Sequence, residues 1–200
     1  MWANLADLPW TERLDYFSAT VTIGNSLHYA ISRIFGLQGA RTHTKLLYPV
    51  TALVLLVVVG HFSYVSSLPF FPYGYHVAFA GALGMIGNTL WTMWSVSFKY
   101  RPSIAGFTWP APYPPTAPSP SPSLTTAKRG AQQANWTPAI LVLLTTLAMS
   151  LELLDFPPHA RVLDAHSLWH AATIPLAVWW WDFLVKDARE VEVRAAQRLE

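Results

Sequence analysis

His166 and His170 are four residues apart, so they share one face of any helix that carries them. Paired neutral imidazoles suit zinc. Their ring nitrogens supply ligands, an open position keeps a water, and the metal brings that water's pKa to about 7. A carboxylate beside such a centre can orient the water or shuttle its proton. The same spacing also fits two helix-end histidines that only cap or hydrogen-bond. The difference between these readings lies in what else shares their depth in the molecule.

Depth has meaning here because the chain is built of long apolar blocks. Of its 200 residues 52% are hydrophobic and 12% charged, about half the charge of a soluble domain. Blocks at residues 14–34, 46–68, 75–98, 136–154 and 166–185 each approach the ~20 apolar residues that a membrane-crossing helix requires. The run VLLVVVG at 54–60 is rich in β-branched residues and resembles a buried strand, but its block is too long for one. In lipid only helices and closed barrels satisfy the backbone. The expected fold class is therefore all-α, a polytopic transmembrane helix bundle with five spans. Ala80, Gly81, Gly84 and Gly87 give the third span a small-residue face for close helix packing.

Four segments follow: residues 1–98 with the first three spans, 99–135 as a Pro/Ser-rich cytosolic loop, 136–185 with the last two spans, and 186–200 as a charged cytosolic tail that reads as a solvated helix. The run PAPYPPTAPSPSPS excludes helix and reads as an extended or disordered linker. Lys and Arg fall very unevenly. Eleven lie in the 33–45 and 99–129 loops and the tail, and two, Arg13 and Arg161, lie on the opposite side. By the positive-inside rule the N-terminus is luminal and the C-terminus cytosolic. The sequon at Asn135 then faces the cytosol and stays unused, and Trp179, Trp180 and Trp181 form a cytosolic aromatic belt. The absence of cysteine removes disulfides and Cys-ligated zinc, and a net charge of +2 gives no reason to expect nucleic acid.

With this orientation the luminal layer holds His166 and His170, and Asp15 opens the first span at the same level. His61, His76, Glu152, Asp155 and Asp164 are the further candidates for that layer. Each has a plainer reading. Asp15 is also a first-turn acid favoured by the helix dipole. Glu152 and Asp155 also suit the interface before Pro157-Pro158. His61 and His76 also suit helix packing. His28 is 13 residues beyond Asp15, roughly 20 Å deeper, which places it outside the constellation and leaves a bis-histidine haem site without its partner.

LELLDFPPHARVLDAHSLWHAATIPLAVWWW at 151–181 and DLPWTERLDYFSAT at 7–20 resemble the post-GPI attachment to proteins factor 3 family, as do HFSYVSSL at 61–68 and FPYGYH at 71–76. That family belongs to the CREST superfamily of membrane hydrolases. The resemblance implies a seven-span fold with an intramembrane zinc held by three histidines near an Asp and a Ser. It implies an endoplasmic reticulum or Golgi membrane location and GPI-anchored proteins as substrates, whose sn-2 acyl chain is removed in a phospholipase A2-type reaction on membrane lipid. Carried over residue by residue, His166 and His170 match the paired metal ligands and Asp15 the acid of the L-D-Y-F stretch. Asn4 stands where the third histidine is expected, and the first two spans of the family pattern have no counterpart. The sequence thus suggests part of a longer hydrolase. The alternative is a non-catalytic membrane relative that binds lipid or regulates a full-length homologue.

Overall fold

All five apolar blocks are helical in the computed structural model, which describes residues 9–37, 44–101, 103–104, 106–110, 135–154, 156 and 164–196. In chain order these are α1 (Pro9–Ile34), α2 (Thr44–Ser67), α3 (Tyr73–Val96), the two-residue antiparallel strands β1 (Ser103–Ile104) and β2 (Phe107–Thr108), α4 (Thr137–Leu154) and α5 (Ala165–Ala196). The β-branched run at 54–60 is helix, as its length requires. The small hairpin was not expected within the 99–135 loop, and Gly106 turns it with φ +83°. The proline run falls outside the described residues, as do Arg41, Lys128, Arg129, Arg161 and Arg198 of the charge count.

Local chemistry sets the helix ends. Gly36 takes the left-handed conformation (φ 64°), and Leu37 N–H reaches back to the Ser32 carbonyl at 2.8 Å, so α1 stops in a glycine-dependent cap. Asn135 Oδ1 accepts the Thr137 N–H at 3.1 Å at the start of α4, and Pro138 occupies a first-turn position where no N–H is needed. Asp164 starts α5 by accepting the Ser167 N–H at 2.6 Å.

The membrane-crossing expectation is met in part. Among the described residues one helix, α2 over Lys45–Ser67, is long and apolar enough to cross a bilayer, with mean hydropathy 2.0. In α4 the apolar stretch Thr137–Leu151 is shorter. Charged residues dilute α1 and α5, and Gly, Tyr, Trp and Asn88 dilute α3.

Two compact units divide the chain, Met1–Leu90 and Trp91–Glu200, with the boundary inside α3. In the first unit glycines allow close approach. A Cβ on Gly24 would meet Val58 Cγ2 of α2 at 3.0 Å, and one on Gly87 would meet the Leu27 Cα of α1 at 3.9 Å. The small-residue face of the third block therefore packs where Gly84 and Gly87 lie. His28 Nε2 and Thr51 Oγ1, 2.8 Å apart, add a polar tie from α1 to α2.

In the second unit, Trp91 and Trp94 pack edge-on against Phe183, and Leu141 and Ala148 bury the inner face of α4. Trp180 Nε1 donates to Thr145 Oγ1 at 3.3 Å, and its ring lies 5.9 Å from Trp91. This corrects the three-tryptophan belt. Consecutive helical residues point about 100° apart, so Trp181 faces outward while the half-buried Trp180 turns towards Trp91 and Thr145. The charged tail continues α5 without a break to Ala196. It is not wholly solvated, since Asp187 is 3% exposed.

Candidate functional site

His166 and His170 lie in the first two turns of α5, whose start is fixed by the Asp164 cap. The Ser167 N–H holds the Asp164 carboxyl below the usual carboxylate range. Asp164 thus caps the helix that carries the histidines. Their Nε2 atoms converge to 3.0 Å, with rings at 89°. Two nitrogens bound to one tetrahedral zinc at ~2.0–2.1 Å lie about 3.3 Å apart. The pair is thus close to the bite of a single ion and would supply two of the three histidine ligands that the resemblance implies. Trp169 tilts against both rings, at 5.6 and 4.5 Å, and limits their freedom. His170 is half-buried and His166 exposed.

An apolar groove between α4 and α5 begins just beyond this pair. Leu144, Leu147, Ala148 and Leu151 line one wall and Ala172, Pro175 and Leu176 the other. Pro175 has no N–H, so the Ala171 carbonyl loses its helical partner in this stretch.

In the first unit Asp15 is half-buried in the second turn of α1. The following turn is firmly held: Tyr16 stacks on Phe71 at 5.2 Å and Phe17 on Phe62 at 4.4 Å. Arg13 lies 6.0 Å over the Phe71 ring. His61 and His76 do not stand as separate members of a layer. They bond to each other, Nε2 to Nδ1, at 2.9 Å, and His76 continues to Thr20. His28 is engaged with Thr51, 2.8 Å away. Asn4 and Asp155 lie outside the described residues, and Glu152 is described only as part of the α4 backbone.

Sequence reasoning missed Thr20 and the link between His61 and His76. The available signal was the occurrence of two histidines in neighbouring apolar blocks at one expected depth. Buried neutral imidazoles need partners, and each was the other's best candidate.

Comparison with known proteins places these residues in a family. The model of the Per1-like family matches residues 2–188. The chain is 33% identical over 182 residues to the GPI-specific phospholipase A2-like PGAP3 of Bos taurus and 31% identical to that of Homo sapiens, covering 91% of the chain and 46% of each relative. It is 29% identical over 183 residues to the Protein PER1 homolog of Schizosaccharomyces pombe, covering 92% of the chain and 46% of that protein. The chain spans about half the length of the curated relatives it matches. No solved structure matches it. On the strength of a family match that runs through α1 to α5 and includes Asp15, His166 and His170, the chain belongs to the Per1-like family.

Proposed function

We propose that this protein remodels GPI-anchor lipid in the endoplasmic reticulum membrane, hydrolysing the sn-2 acyl ester of the anchor's phosphatidylinositol. The observation that carries the reading is the paired imidazole nitrogens of His166 and His170, 3.0 Å apart, in a chain of this family. The names of its relatives specify GPI and a phospholipase A2-like protein. The reading extends both to this chain.

His166 and His170 would hold zinc. When bound, zinc supplies a Lewis acid and makes water acidic enough to act at neutral pH. Asp15 is the proposed base, orienting the water and taking its proton. The water oxygen bonds to the ester carbonyl carbon, the bond to the glycerol oxygen breaks, and that oxygen receives a proton. The products are a lyso-GPI anchor and a fatty acid. The groove of Leu144, Leu147, Ala148, Leu151, Ala172, Pro175 and Leu176 offers an apolar bed to the acyl chain within about two turns of His170.

The bundle reading rests on two features. Only 11% of the apolar window of α2 is buried within the molecule, so Leu53, Leu55, Leu56 and Val59 face outward where water would be unfavourable. Hydroxyls also turn back onto carbonyls of their own helix: Thr22 on Ser18, Thr89 on Met85, Thr146 on Val142 and Ser150 on Leu147. This pattern satisfies them where no water is present. The proposed bundle places the N-terminus in the lumen and the C-terminus in the cytosol, with the His pair at the luminal end.

The test is expression in cells that lack their own remodelling activity, followed by mass spectrometry of GPI anchors. The wild-type chain should yield lyso-GPI, while His166→Ala and His170→Ala should yield none at equal expression. Remodelling undiminished in both variants would overturn the assignment.

A further inference from the structure

We infer that His61 and His76 are positioning residues for Asp15, acting through a one-directional hydrogen-bond chain that ends on the α1 turn beside it. This inference deepens the proposed role of Asp15 and rests on that reading, although its geometry lies wholly within the first unit.

The direction of the chain follows from its donors. Thr20 is fully buried and its hydroxyl donates to the Tyr16 carbonyl at 3.0 Å. With that proton on the carbonyl, the oxygen is assigned as the acceptor towards His76 Nε2, 3.4 Å away, and the Tyr16 backbone is a second hydrogen-bond partner of His76. His76 Nε2 carries the hydrogen, so the Nδ1 of a neutral ring is bare. That atom accepts from His61 Nε2 at 2.9 Å. His61 Nδ1 is then bare in turn, and it is buried with no hydrogen-bond partner. Three helices are joined in sequence, α2 to α3 to α1, and the tautomer of each imidazole is set by the next link.

Ring packing fixes the same geometry. Phe79 stacks on His61 at 3.8 Å with 1° between the planes, and Tyr16 and Phe71 lie 5.5 and 5.3 Å from His76. His61 and His76 are 4% and 3% exposed. A pair of apolar side chains at these positions would pack without leaving a buried nitrogen unpartnered, which is an unfavourable feature of the present arrangement. What the histidines add is a polar hold on the Tyr16–Thr20 turn. Asp15 immediately precedes that turn, near the helix end, where fraying is easiest. A base must be held within about 0.5 Å of its working position.

The chain contains no cysteine, so Asp15→Cys introduces a single thiol. Its maleimide labelling rate is measured in the whole protein in detergent micelles, with Ser150→Cys as a separate reference thiol. Thr20→Val, which puts a methyl in place of the hydroxyl, and His76→Leu should each raise the rate at position 15 about fivefold, the scale of one lost hydrogen bond. His76→Gln, whose amide can both donate and accept, should restore the slow rate, and the rate at position 150 should not move. Unchanged labelling at position 15 in Thr20→Val and His76→Leu overturns the inference, as does an equal rise at both thiols. In the hydrolysis assay His76→Leu should lower kcat and spare KM, and it should add nothing in an Asp15→Asn protein. Additive losses count against positioning. The labelling result does not depend on turnover, so failure of the hydrolase reading is distinguishable from failure of this one.

Discussion

Gly24→Ala should change the sign of its effect according to what occupies position 58. Gly24 lies in the middle of α1, where alanine by itself favours helix by about 1 kcal/mol. The added Cβ would stand 3.0 Å from Val58 Cγ2, inside the ~3.5–4.0 Å at which carbon atoms attract. Val58 is 8% exposed and has little room to yield. Overpacking of this kind costs ~1–3 kcal/mol, so the net change is a loss of up to about 2 kcal/mol. Val58→Ala removes the obstructing methyl. In that background the same glycine substitution should stabilise by about 1 kcal/mol. The assay is a double-mutant cycle on reversible unfolding in mixed micelles, followed by helical circular dichroism. Equal stabilisation by Gly24→Ala in both backgrounds would refute the close α1–α2 approach, and with it the placement of the Thr20 turn above it.

Other outcomes test the remaining parts. Thr145→Val should cost roughly 0.5–1.5 kcal/mol in the same unfolding assay by removing the acceptor for the Trp180 indole, and Trp180 fluorescence should shift. The Asp164 carboxyl is depressed in the folded chain, so its cap is fully present above the ordinary carboxyl value near 3.8 and is lost as pH falls through the lowered folded value. The Ser167 amide resonance should follow that titration, and Asp164→Asn, which keeps an acceptor oxygen, should abolish its pH dependence. Asn135 should carry no glycan in cells, as a cytosolic loop requires, and a glycan there would reverse the orientation.

Much of the helical layout was legible because block length separates membrane-type helices from strands whatever their β-branched content, as at Val57 and Val58. The facing of His166 and His170 was legible for the same kind of reason, since a separation of four residues fixes one helix face. Contacts between helices were not. His61 and His76 are 15 residues apart across a turn, and no periodicity connects them. Trp180 was expected beside Trp179 and Trp181, yet helical geometry turns it inward, where Trp91, Phe183 and Thr145 receive it. Hydropathy sums also count tyrosine, tryptophan and glycine for little, so among the described residues only α2 passes as a span on composition, although all five blocks are helical.

The most direct test of the central claim is the metal content of the purified chain. Elemental analysis should find zinc near one ion per chain, lost in His170→Ala while the helical circular dichroism is unchanged. Absence of zinc from a folded, zinc-supplemented wild-type chain would contradict the account, and so would zinc retained in full by His166→Ala and His170→Ala.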